Sequence, residues 1–268
     1  MKKIIIYILI ISPIITFAQD NKAKETRREK LAKSDAMVKK MQTESEEGAI
    51  IFNKQSAFNI TIRNDGYAIG FEKGKFKSIK KTNLWWVHLG ERKHPKEEKI
   101  TLNVGGVQLG NPFIFGKKNN FYLLNIGIGQ QRLLGGKSNK NGISVAAVYG
   151  GGLSLGLLKP YYLEVFSDTS NNNDIIKYSL EDQRFLNPGY IVGAAPFGKG
   201  FNELKLVPGA FVKGGFRFDY GKLKDVAAAL ELGVSAEYYT QKVPTLWGQK
   251  EKTLFISGYV SLIFGNRR

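Results

Sequence analysis

The sequence predicts an all-β fold, an antiparallel up-and-down transmembrane β-barrel of about eight strands, preceded by a signal peptide and a short charged N-terminal tail. Three observations predict it. The run from Ile143 to Val165, ISVAAVYGGGLSLGLLKPYYLEV, alternates with period two, large apolar residues on one set of positions and mostly Gly, Ser and Ala on the other. Strand side chains alternate between faces, and a strand in a soluble sheet runs about five or six residues; this run is several times longer. The chain also opens with an export signal, and after the short first hairpin its connections alternate between short and long.

The export signal comes first in the chain. Lys2 and Lys3 precede an apolar stretch from Ile4 to Ile15, and Thr16-Phe17-Ala18 supplies small residues for cleavage after Ala18. This is the pattern of a secretory signal; a retained membrane anchor is the alternative. The sequence has no cysteine, so no lipidated cysteine and no disulfide is expected. No later run of about 18 apolar residues reads as a transmembrane helix. The expected organisation is signal peptide 1–18, a charged periplasmic tail 19–48 that is disordered or partly helical, and a barrel over 49–268. The formal net charge of +17 points to an anionic partner such as lipopolysaccharide phosphate or peptidoglycan. Export argues against nucleic acid, and basic loops that only solvate the barrel ends explain the charge equally well.

From Ala49 onward come eight alternating strands, at about 49–63, 67–79, 83–93, 119–134, 143–165, 206–220, 226–241 and 253–265. Asn64-Asp65-Gly66 joins the first two as a tight hairpin, because Asx-Gly accepts the backbone such turns need. With the N-terminus periplasmic, connections 2–3, 4–5 and 6–7 share the periplasmic side and are short. Connections 3–4, 5–6 and 7–8 lie outside and are longer. Short periplasmic turns with long external loops are the habit of outer-membrane barrels.

Residue size decides which face points where. Gly127, Gly129, Gly150, Gly152, Ser154, Gly156, Gly233 and Ser235 suit a narrow lumen better than a solvated surface. The charges on the same face form an expected lumen polar network: Arg63, Glu72, His88, Lys213, Arg217, Asp219, Glu231 and Glu237. Trp85, Tyr161, Phe218, Tyr220, Tyr238 and Phe264 fit interfacial girdles. A lumen filled by eight strands' side chains is not a solute pore.

Chemistry is sparse. The two histidines, His88 and His94, are six residues apart, about 20 Å along a strand, so no shared metal and no cofactor is expected. His94, near the outer rim, is a weak catalytic candidate for a lipid-A-modifying activity, although no serine is tied to it. Val104-Gly105-Gly106 and Gly150-Gly151-Gly152 open no helix and are not phosphate cradles. Lys73-Gly74-Lys75-Phe76-Lys77 lies near the periplasmic end, where contact with lipid phosphate or peptidoglycan competes with simple solvation.

Several segments together resemble a family of small Bacteroidota outer-membrane β-barrel proteins of uncharacterised function. They are Gly66-Tyr67-Ala68-Ile69-Gly70-Phe71, Lys93-His94-Pro95-Lys96-Glu97, Gly127-Ile128-Gly129-Gln130-Gln131-Arg132 and Gly152-Leu153-Ser154-Leu155-Gly156 with Lys159-Pro160-Tyr161-Tyr162-Leu163-Glu164. Ala195-Pro196-Phe197, Lys199-Gly200-Phe201 and Pro208-Gly209 add to them. The resemblance implies the barrel and an outer-membrane location, and it supplies no catalytic residues. The function expected is a non-enzymatic structural or interaction role in the envelope. Outer-membrane lipid and lipopolysaccharide are the expected contacts, with an envelope protein meeting loops 94–118 and 167–204. A lipid-A-modifying enzyme and a soluble periplasmic lipid-binding barrel are the alternatives.

Overall fold

The computed structural model describes residues 31–32, 34–35, 53–78, 80–104, 106–136, 142–167, 172–179, 182–221 and 226–267. The signal peptide read at 1–18 lies outside them. Of the tail, only Leu31, Ala32, Ser34 and Asp35 are described, and these are helical and exposed. The chain divides into two units, Met1–Glu46 and Glu47–Arg268, and all the described strands belong to the second.

Among the described residues thirteen strands run in order: β1 Lys54–Arg63, β2 Gly66–Ser78, β3 Lys81–Arg92, β4 Lys99–Val104, β5 Val107–Ile114, β6 Asn119–Gly135, β7 Ser144–Pro160, β8 Tyr162–Val165, β9 Asp174–Lys177, β10 Ile191–Ala194, β11 Lys205–Asp219, β12 Val226–Val243 and β13 Lys252–Arg267. Eight of them close a ring in the order β1-β13-β12-β11-β7-β6-β3-β2. The first and last strands close it, in register from Gln55 opposite Arg267 to Arg63 opposite Tyr259. Every ring neighbour is antiparallel. The ring leaves no unpaired edge, which is how a barrel satisfies its backbone without water. No helix among the described residues is long and apolar enough to cross a membrane.

The alternation sorts side chains as size predicts. On β7, Ala146, Val148 and Ser154 are buried inside while Leu153 is 70% exposed outside. Inside, Trp86 packs with Leu84, Val148 and Phe211. Its ring occupies the clearance left by the glycine row. A Cβ on Gly129 or Gly150 would lie 2.5 or 2.7 Å from Trp86 Cη2, and one on Gly127 would lie 2.7 Å from Nε1. A second apolar layer toward the long loops joins Phe121, Leu158, Val207, Tyr239 and Val243. The Asn64-Asp65-Gly66 turn puts Gly66 at φ 151°, with any Cβ 2.0 Å from the Glu91 carbonyl.

Three sequence expectations need correction. The run 143–165 is not one strand: β7 ends at Pro160, and Tyr162–Val165 belongs to a separate sheet in the order β10-β8-β9. Proline has no N–H for the ladder, and the Tyr161 N–H turns to the Lys118 carbonyl instead. The long connections are also not plain loops. The first holds the β4–β5 hairpin, and the second holds the three-stranded sheet and two short 3-10 turns. Phe113, Leu163, Val165, Phe185 and Ile191 form a buried core of their own. The loops thus make a folded cap. Tyr161 goes with the cap rather than an outer girdle, its hydroxyl accepting from the Ile114 N–H at 3.1 Å.

Candidate functional site

All eight residues of the expected lumen network lie in the ring, and ion pairs join most of them. At the level nearer the short turns, Arg217 on β11 reaches Glu72 on β2 through two bonds of 2.7 and 2.9 Å. It also bonds Glu231 at 2.6 Å. Lys213 adds a 3.2 Å contact to Glu231, and the Tyr259 hydroxyl donates to that carboxylate at 2.7 Å. At the level nearer the cap, Glu237 on β12 accepts from Arg63 at 2.7 Å and pairs with Arg92 of β3 at 2.9 Å. Asn125 donates to it at 3.0 Å. Asp219 pairs with Arg267 at the floor. His88 takes no ion-pair role: its Nε2 lies 3.2 Å from Asn59 Nδ2, and its ring stacks on Trp86.

Among the described residues the ion-paired charges inside the ring balance. Arg63, Arg92, Lys213, Arg217 and Arg267 face Asp65, Glu72, Asp219, Glu231 and Glu237. Each buried charge would be costly alone, so mutual pairing is what makes the set tolerable. Sequence reasoning missed Arg92, Asp65 and Arg267, which it placed at strand ends, in the turn and in the last residues. The signal for Arg92 and Arg267 was available, because both sit in inward positions of the same alternation. Midway up, Thr61, Arg63, His88, Asn125, Lys213, Ser235 and Tyr259 surround a residual cavity of about 20 Å³. Asn125 Oδ1 and Ser235 Oγ have no partner among the described residues. A space of that size has room for about one water molecule and none for a substrate.

The cap has its own electrostatics. Lys117, nearly buried, bonds Glu97 at 2.8 Å, and Glu97 also accepts from the His94 N–H. His94 is thus part of a turn. Its Nδ1 accepts from the Lys96 N–H at 3.2 Å, burial lowers its pKa, and no serine or threonine hydroxyl bonds to it among the described residues. Farther along, Arg184 binds Asp182 and Asp174 at 2.9 and 2.8 Å. Lys159, buried at the rim, donates to the Phe197 carbonyl at 2.6 Å. It lies 4.1 and 4.4 Å from the Phe197 and Phe201 rings. No group of His, Asp and Glu among the described residues could hold a metal ion.

Neither a protein-family model nor a curated protein sequence matches the chain. Among solved structures it is similar to Neisserial surface protein A, at 10% identity, over 80% of this chain and 94% of that one, with a TM-score of 0.36. It is similar also to the N-terminal β-barrel domain of Pseudomonas aeruginosa OprF, at 10% identity, over 81% and 98%, with a TM-score of 0.35. A third is Ail, the attachment invasion locus protein of Yersinia pestis, in complex with the heparin analogue sucrose octasulfate. It matches at 9% identity over 80% and 95%, with a TM-score of 0.33. The eight-stranded ring of the present chain stands on its own strand pairing.

Proposed function

We propose that the chain is an outer-membrane barrel with a structural or interaction role, presenting a folded cap outside the cell rather than passing solutes or performing chemistry. The observation that carries this is the charge-balanced lumen, plugged by ion pairs from wall to wall beneath the cap. The exterior supports the membrane setting: Ile128 is 73% exposed, Phe58 68%, Ile62 and Ile256 65%. A soluble exterior gains nothing from such a belt, whereas a barrel in lipid requires one. The short turns then lie on the periplasmic side and the cap outside. Loops 94–118 and 167–204, the segments expected to meet a partner, are the parts from which the cap is built.

The test has two parts. Reconstituted in planar bilayers, the barrel should show no conductance steps; regular steps overturn the plugged lumen. Co-purification from detergent-solubilised envelopes should yield a partner with the native chain and lose it with Phe185→Ala, which removes the centre of the cap core. If the membrane-inserted, heat-modifiable native chain brings down the same material as the cap variant, the interaction role fails.

A further inference from the structure

The outer wall of the ring carries a feature that neither the lumen nor the cap uses. At the end bearing the short turns, β1, β2, β3 and β6 form a groove of about 1050 Å³, lined by Lys54, Lys73, Lys75, Asn83, Trp85 and Gln130 among others. Its lower row is polar and in register, Lys54 opposite Lys75, Lys75 opposite Asn83, and Asn83 opposite Gln130. The row above is Lys73, Trp85 and Ile128. Lys73 Nζ lies 5.6 Å from both the Phe71 and Trp85 rings.

The charge at this end is one-sided. Lys54 stands directly across from Lys75, and Lys81 directly across from Arg132, all four exposed or half-exposed. Like charges at directly opposed positions destabilise a sheet. The described carboxylates at this end, Glu72, Asp219 and Glu231, are buried in the lumen, committed to partners there. An anion held between the lysines would turn this repulsion into attraction. Apolar wall directly above the cations adds a second requirement, that the anion bring hydrocarbon with it.

We infer that this groove binds an anionic glycerophospholipid, its phosphate among Lys54, Lys73 and Lys75 and its acyl chains against Trp85 and Ile128. Asn83 and Gln130 offer amide N–H donors to the ester oxygens of the glycerol. The inference rests on the membrane orientation proposed above, which sets this end in the periplasmic leaflet.

Native mass spectrometry of the full chain tests it, with the protein in a zwitterionic detergent and offered phosphatidylglycerol or phosphatidylcholine of identical chains. Phosphatidylglycerol should be retained about tenfold better, the effect of a few lysines near an anionic headgroup. Lys73→Gln with Lys75→Gln should abolish the preference, and Lys242→Gln at the opposite end should leave it intact. Equal retention of the two lipids, or a preference that survives the double substitution, overturns the site. Displacement of the lipid by glycerol 3-phosphate at the same concentration also overturns it, because a bare phosphate would then suffice. Heat-modifiable migration is read on every sample. Its absence in the native chain would defeat the membrane-barrel reading itself, whereas its presence without lipid preference defeats only the groove.

Discussion

Arg217 and Glu72 meet across the full width of the barrel. Their strands, β11 and β2, are separated by three others whichever way the ring is followed, yet two hydrogen bonds join guanidinium to carboxylate. Arg92 and Glu237 form a second bridge of the same span between β3 and β12, nearer the cap. The two bridges tie opposite walls at two heights. Removing one partner leaves a buried charge uncompensated, a loss of about 3–5 kcal/mol. Glu72→Ala should therefore lower the urea midpoint of the folded, heat-modifiable band substantially. Leu at both 72 and 217 should cost less than the two single changes added together, because Glu231 keeps Lys213. Additive single costs would show that the bridge is not coupled.

The glycine row predicts a contrast between two identical substitutions. At Gly150 a Cβ would lie 2.4 Å from the Ile128 carbonyl and 2.7 Å from the Trp86 ring, while at Gly258 it meets nothing within 4 Å. Gly150→Ala should cost about 1–3 kcal/mol, the usual range for overpacking, and Gly258→Ala should leave the unfolding midpoint within experimental error. Equal effects would mean that the Ile128 backbone and the Trp86 ring both give way without cost.

Period two tells which face a residue occupies but not how high it stands, because height around a closed ring is set by strand stagger. That is why Glu72, Glu231 and Arg217 could be assigned to the lumen from sequence while the diametric pairing could not. Asp65 was hidden by its turn chemistry, which accounts for the residue without any ion pair. The break at Pro160 was hidden for the opposite reason: Leu163 and Val165 continue the alternation of β7 while serving a different core. Period and residue type survive a change of sheet. Only the tertiary contact marks it.

The cap core should be separable from the barrel. Phe185 is fully buried against Leu163, Val165 and Ile191 and meets the Tyr178 ring edge-on at 5.7 Å. Phe185→Ala should remove about 3–5 kcal/mol of packing from the cap without touching any ring strand. Limited proteolysis should then cut between residues 166 and 204 while the barrel still migrates as a folded, heat-modifiable band. Loss of both together would mean that the cap and ring fold as one cooperative unit.

His94→Ala should leave the lipid-A mass spectrum of the host envelope identical to that with the native chain. The imidazole serves a turn with Lys96 and Glu97, and no hydroxyl among the described residues bonds to it to act as a nucleophile. A lipid-A species present with the native chain and missing with the variant would restore an enzymatic role.

Acid should loosen the cap sheet selectively. Hydrogen bonds from Arg184 hold the Asp182 carboxyl below its ordinary pKa, and those from Lys177 and Tyr162 do the same for Glu203. A carboxyl whose folded pKa is depressed contributes stability that is complete above its unfolded value, near about 4, and is lost as pH falls through the folded one. Glu203 ties Tyr162 on β8 and Lys177 on β9 to the turn at Phe201–Glu203, and Asp182 holds Arg184, which reaches Asp174 on β9, so protonating the two carboxyls should open that sheet first. Hydrogen exchange, corrected for intrinsic rates, should be unchanged between about pH 7 and pH 5 in Asp174–Lys177 and should accelerate as pH drops below about 4. Ring amides should stay protected throughout. Asp182→Asn with Glu203→Gln should show the fast exchange already at neutral pH and lose the pH dependence. An acid response that persists in that double variant would place the titrating groups elsewhere.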